Sequence, residues 1–107
     1  MFIINLTTEQ ATNTQREAGV IDFPAAEADR LKSMINFEFL PTADCVCQHA
    51  EKIAILARNS GIKVALIGGP SYLMPALEQA LRVVGVCAVY EFGDGEFIDS
   101  TGPVFRG

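Results

Sequence analysis

The sequence predicts an α/β domain, a small parallel sheet flanked by helices. Three observations point to it. Short apolar runs alternate along the chain with longer stretches at helical spacing. Lys63-Val64-Ala65-Leu66-Ile67 runs straight into Gly68-Gly69-Pro70-Ser71 and then a helical pattern, and Val86-Cys87-Ala88-Val89-Tyr90 supplies the next strand, so residues 63–90 read as a βαβ unit. At 107 residues, half of them apolar and a fifth charged, the chain suits one domain with a single core.

Phe2-Ile3-Ile4-Asn5-Leu6 is the first strand. Thr7 and Gln10 have the S/T-x-x-E/Q spacing of a capping box, which places a polar helix from there to Ala18, stopped by Gly19. Ala11 and Ala18 are its only apolar members, so it must be held by something other than burial. Val20-Ile21-Asp22-Phe23 is a second strand, and Pro24 opens a helix whose inner stripe is Ala28, Leu31, Met34 and Ile35. Phe37-Glu38-Phe39-Leu40-Pro41 reads as an extended connection. Thr42 caps the longest helix, in which Val46, Ala50, Ile53, Ala54 and Ala57 form one face before Asn59-Ser60-Gly61 ends it. Leu73, Leu77, Ala80, Leu81 and Val84 repeat that pattern in the helix after the glycine turn, which stops at Gly85. Beyond Tyr90, residues 91–107 form an acidic tail with Phe97, Ile98, Val104 and Phe105. Gly102-Pro103 marks a turn between two short extended runs, a hairpin suited to covering a sheet edge or meeting its copy in a dimer.

This order makes a single Rossmann-like half: four parallel strands, for which right-handed crossovers favour the order 2-1-3-4, plus the C-terminal hairpin. The chain leaves the first and third strands in opposite directions, so a ligand is expected in the crevice beyond their carboxyl ends. Thr7, Thr8 and Gln10 wall it on one side and Gly68, Gly69 and Ser71 on the other. The glycines have two readings: a turn that needs small residues, or a cradle of backbone N–H groups for an anion. Ser71 suits an N-cap whose hydroxyl can also face a phosphate, and Tyr72 suits a stacking partner for a base or a cover for the core.

Other chemistries are set aside. A formal net charge of −5 gives no diffuse attraction to DNA or RNA duplexes or to anionic membranes. No apolar stretch approaches the roughly 20 residues of a membrane span, and no leader pattern opens the chain, so a cytoplasmic protein is expected. No G-x-G-x-x-G follows the first strand and no G-x-x-x-x-G-K-[ST] occurs, so neither a dinucleotide cofactor nor a P-loop is expected. Cys45 and Cys47 point about 200° apart on a helix and cannot share a metal. Cys45 and His49 share a face but are two ligands short of a zinc site, so no metal is expected. His49, the only histidine, reads as a boundary residue on the flank of its helix, far in sequence from both loops.

With those motifs placed, the chain resembles the small stand-alone CRISPR-associated ring nucleases, which are CARF-like. The likeness rests on Leu6-Thr7-Thr8-Glu9-Gln10, Gly19-Val20-Ile21-Asp22-Phe23-Pro24, Val64-Ala65-Leu66-Ile67-Gly68-Gly69 with Tyr72-Leu73-Met74, and Gly85 ahead of Val89-Tyr90, in that order across residues 2–92. The resemblance implies a homodimer that binds a cyclic oligoadenylate across its two-fold axis and cleaves it without metal. It would assign Thr7, Thr8 and Ser71 to catalysis, and Gln10, Gly68, Gly69 and Tyr72 to ligand binding. Acidic Glu91-Phe92-Gly93-Asp94 departs from the hydroxyl and basic residues that follow the last strand in such proteins. The alternative class is a non-catalytic nucleotide-sensing or homodimeric assembly module.

Overall fold

The computed structural model describes residues 2–37, 40–93, 96–99 and 104–106. Ten elements follow in order: β1 (Ile3–Asn5), α1 (Asn13–Glu17), β2 (Val20–Ile21), α2 (Ala25–Ile35), α3 (Ala43–Asn59), β3 (Val64–Leu66), α4 (Met74–Val83), β4 (Cys87–Gly93), β5 (Glu96–Asp99) and β6 (Val104–Arg106). Glu38 and Phe39 of the expected connection, Asp94 of the acidic run and the Gly102-Pro103 turn lie outside the described residues.

One mixed sheet runs through the molecule in the order β2-β1-β3-β4-β5-β6. The first four strands are parallel and stand in the expected 2-1-3-4 order. The expected strand count was too low. The tail hairpin covers a sheet edge, one of the two roles expected of it, by continuing the sheet, with β5 antiparallel to β4 and β6 antiparallel to β5. This pairing also carries β4 on to Gly93, because its outer edge has a partner. Phe97 of that tail is fully buried.

Crossover handedness sets the layers. Steps from β2 to β3 and from β3 to β4 run in one direction across the sheet, whereas β1 to β2 runs in the other. Right-handed connections therefore put α2, α3 and α4 on one face and α1 on the opposite one. Strand alternation serves both faces. Ile4, Leu6, Ala65, Ile67 and Ala88 pack under the three helices, around Leu31, Ile35, Ile53, Leu77 and Leu81. Ile3, Val20, Leu66, Val89 and Phe97 form the second cluster with Ala11 and Ala18, which bracket α1.

α1 is shorter than the sequence suggested, and its cap lies elsewhere. Thr12 and Gln15, not Thr7 and Gln10, close the capping box. The spacing is the same, but the Thr7 hydroxyl is already engaged by its own loop. With no buried residue of its own, α1 is tied down by polar contacts: Gln15 Nε2 donates to Glu91 at 2.8 Å, and Arg16 pairs with Asp22 at 3.3 Å. On β4 the Cys87 thiol donates to Asp99 at 2.8 Å. Burial and that carboxylate push the thiol up to about 11. Among the described residues no helix is long and apolar enough to cross a membrane.

Candidate functional site

Asn5 organises the carboxyl end of the sheet. It is a polar side chain in an apolar strand, 4% exposed, and its complete hydrogen-bonding capacity is used. Its Nδ2 donates to Glu9 O at 2.8 Å and to Asp22 Oδ1 at 2.7 Å. Its Oδ1 accepts from the Thr7 amide at 2.9 Å and the Thr7 hydroxyl at 2.6 Å. Asp22, at the end of β2, also accepts from the Ala11 amide and from Arg16. Burial raises the Asp22 carboxyl, but the Asn5, Ala11 and Arg16 contacts outweigh it and hold the group below its ordinary value. Residues 7–11 are thus a loop built on two buried-edge side chains, not the first turn of a helix.

That loop opens a cavity of about 200 Å³ in which Thr7, Thr8 and Gln10 meet Asp22, Asp29 and Lys32. The wall opposite the loop is α2, where the sequence had placed the glycine turn. Thr8 is half-buried and Gln10 exposed, and neither spends its side chain on the loop, whereas Thr7 donates its one hydroxyl proton to Asn5 or Glu9.

The glycine turn adjoins the first loop, as expected, yet its two glycines do different things. A Cβ on Gly68 would stand 3.6 Å from Thr7 Cγ2, ordinary contact across the gap between β1 and β3. A Cβ on Gly69 would instead meet Ile35 Cγ2 at 3.2 Å and Met74 Cε at 3.6 Å. Gly69 also sits at φ +151°, a conformation that L side chains rarely adopt. Packing of α2 against the turn therefore explains Gly69. Ser71 is not the N-cap. A turn over residues 71–73 precedes α4, the cap is Leu73, and it has no side-chain capping bond. Ser71 stays exposed.

Tyr72, half exposed, faces an aromatic group that the sequence did not assemble. The rings of Phe37 and Tyr72 lie 5.6 Å apart, and Phe37 stacks on His49 at 4.7 Å with 17° between the planes. His49 Nδ1 is 2.8 Å from the Met34 carbonyl. A carbonyl only accepts, so Nδ1 carries a proton, and in the neutral tautomer that this bond selects the lone pair is on Nε2. His49 is half-buried at its helix flank, as expected of a boundary residue, but the chain between α2 and α3 brings it to the second loop through Phe37. A cavity of about 710 Å³ lies beside it, with Cys45 on its wall as the four-residue spacing allowed. Among the described residues no three His, Cys, Asp or Glu side chains gather as a metal-binding group.

Comparison with family models, with characterised proteins and with solved structures returned no match.

Proposed function

We propose that the chain binds a cyclic oligoadenylate or similar nucleotide at the carboxyl end of the sheet, and cleaves it without metal as a cytoplasmic homodimer. The observation that carries this reading is the Asn5-built loop. It holds Thr8 and Gln10 over a cavity floored by Lys32, at the point where a Rossmann-like sheet changes direction. In a ring of 3′–5′ linked nucleotides the nucleophile comes with the ligand. The ribose 2′-oxygen attacks the adjacent phosphorus, the P–O5′ bond breaks, and the 2′-hydroxyl proton ends on the departing 5′-oxygen. Linear products then carry a 2′,3′-cyclic phosphate and a 5′-hydroxyl. The protein has only to align the 2′-oxygen with the bond that breaks and to stabilise phosphoryl charge, the roles given to Thr8, Ser71, the Gly68 turn and Lys32. Thr7 shapes the loop and offers its oxygen as an acceptor. Alignment of this kind is worth roughly 7–11 kcal/mol in ideal cases.

A second reading, a non-catalytic nucleotide sensor, is favoured by one fact: the only hydroxyl bonded to Asn5 has its proton committed to the loop. Incubation with cyclic tetra- and hexa-adenylate in excess chelator separates the two. Linear products ending in 2′,3′-cyclic phosphate support cleavage. Ligand that binds and stays intact with equimolar protein leaves the sensor.

Dimerisation has its own support in the surface between α3 and α4. Ile55 is 43% and Val83 75% exposed there, flanked by Ala54, Ala76 and Ala80. Glu51 and Arg58 stand on the same α3 face, two turns apart about Ile55. An antiparallel copy of α3 would set each Glu51 against the partner's Arg58 while covering the apolar strip. Ile55→Asp should yield a monomer by light scattering if this face pairs, and a wild type that is monomeric at micromolar concentration would refute dimerisation.

A further inference from the structure

Two cavities share a wall. Asp29 and Lys32, one turn apart on the exposed side of α2, line both the first-loop cavity and the larger one between α2 and α3. Among the described residues Lys32 is the only lysine or arginine on either wall, and it enters no ion pair there. The larger cavity has the volume of a small-molecule site, within the roughly 300–1,000 Å³ such sites occupy.

Its lining has the character of a base-binding surface. The imidazole of His49 is fixed twice, by its Nδ1 bond to Met34 O and by its stack on Phe37. Phe37 is itself backed by Tyr72 on the second loop. A ring held this firmly offers a π surface with little conformational entropy left to lose. Nε2 can accept from an exocyclic amine or a ribose hydroxyl. Asn36 is exposed on the same wall, and among the described residues its side-chain amide has no hydrogen-bond partner. Its paired donor and acceptor match the N6–H and ring nitrogen of an adenine edge.

We infer that the cavity between α2 and α3 is a second nucleotide subsite, binding an adenine base against His49 and Asn36. An oligonucleotide then lies across α2, with the phosphate that joins its two units on Lys32. Asp29, beside that lysine, accepts from a ribose hydroxyl and stays clear of the phosphate. This rests on the nucleotide reading of the first loop and deepens it by placing a second, linked nucleotide of the ligand.

Because the chain has one histidine, its imidazole proton signals report on this cavity without ambiguity. The test titrates the wild-type protein with cyclic tetra-adenylate and with AMP, following the His49 ring signals together with the Thr8 and Gln10 amides. Cyclic tetra-adenylate should move all three, and AMP should move His49. Lys32→Ala, an exposed change that keeps the fold by thermal melting, should weaken cyclic tetra-adenylate about tenfold. Asn36→Leu should weaken AMP and leave uridine monophosphate unchanged. If cyclic tetra-adenylate moves Thr8 and Gln10 but leaves His49 still, the second subsite is wrong and the first-loop reading survives. If AMP moves His49 while cyclic tetra-adenylate leaves Thr8 and Gln10 still, the adenine cavity stands and the first-loop reading falls. If neither ligand moves any of them, both fail.

Discussion

Gly68 and Gly69 are neighbours with opposite reasons for being glycine, and substituting alanine at each separates the reasons. At Gly69 the new methyl meets Ile35 Cγ2 at 3.2 Å, on a backbone at φ +151°. Holding an L residue in such a region costs on the order of 1–3 kcal/mol, partly offset by the ~0.4–1 kcal/mol that alanine removes from the unfolded chain's entropy. The tight contact with a β-branched side chain adds to the cost, because Ile35 is buried and has nowhere to move. A net loss of about 2 kcal/mol follows. With an unfolding entropy near ~2.1 cal/mol/K per residue over 107 residues, that lowers Tm by roughly 9 °C. At Gly68 the methyl finds Thr7 Cγ2 at 3.6 Å and no such backbone strain, so Tm should stay within about 3 °C of wild type. Ligand binding should respond in reverse: Gly68→Ala narrows the approach to the first loop, whereas Gly69→Ala, once folded, leaves it open. Calorimetric melts and binding of cyclic tetra-adenylate below both Tm values decide it. Equal loss of Tm in the two variants, or a Gly69→Ala protein as stable as wild type, would show the assignment of the two glycines to be wrong.

Asn5→Ala should destabilise by about 3 kcal/mol, seen in urea melts, since it strips two acceptors and two donors of a partner in a buried-edge network and each orphaned group costs roughly 1–3 kcal/mol before water reaches it. Acid should loosen the same loop. The Asp22 carboxyl is held below its unfolded value of about 3.9, so its contribution is complete above that pH and lost as pH falls through the lower folded value. Hydrogen exchange of the Ala11 amide should therefore lose protection below about pH 4, and protection that persists unchanged to about pH 2 would count against this. Cysteine alkylation at about pH 8 should mark exposed Cys47 first and Cys87 last, because a thiol near 11 is only about 0.1% thiolate there. Mass spectrometry that finds Cys87 modified as fast as Cys47 would contradict the Cys87–Asp99 contact.

What the sequence determined by itself was the parallel core of the fold. Apolar runs of strand length, helical stripes one face wide, and glycines at the ends of α3 and α4 are local signals, and right-handed crossovers favour the 2-1-3-4 order that the structure shows. The two loops that meet at the change of direction follow from that order, and Gly68 does stand against Thr7. Local signals failed where two partners compete for one group. The Thr7-Gln10 spacing is as good a capping box as Thr12-Gln15, and only the tertiary contact of Thr7 with Asn5 decided between them. A polar residue inside an apolar strand was the one visible hint of Asn5, but its partner Asp22 is 17 residues away and joins it through strand pairing. The hairpin's two expected roles, covering a sheet edge or meeting a second copy, are separated only by the edge of β4, which pairs with β5. Sequence distance misled most at His49. It lies 23 residues from Tyr72, yet Phe37 bridges their rings because α2 and α3 pack together on one face of the sheet. Secondary structure is written in nearest neighbours, whereas a site is made by side chains that meet only after the layers have packed.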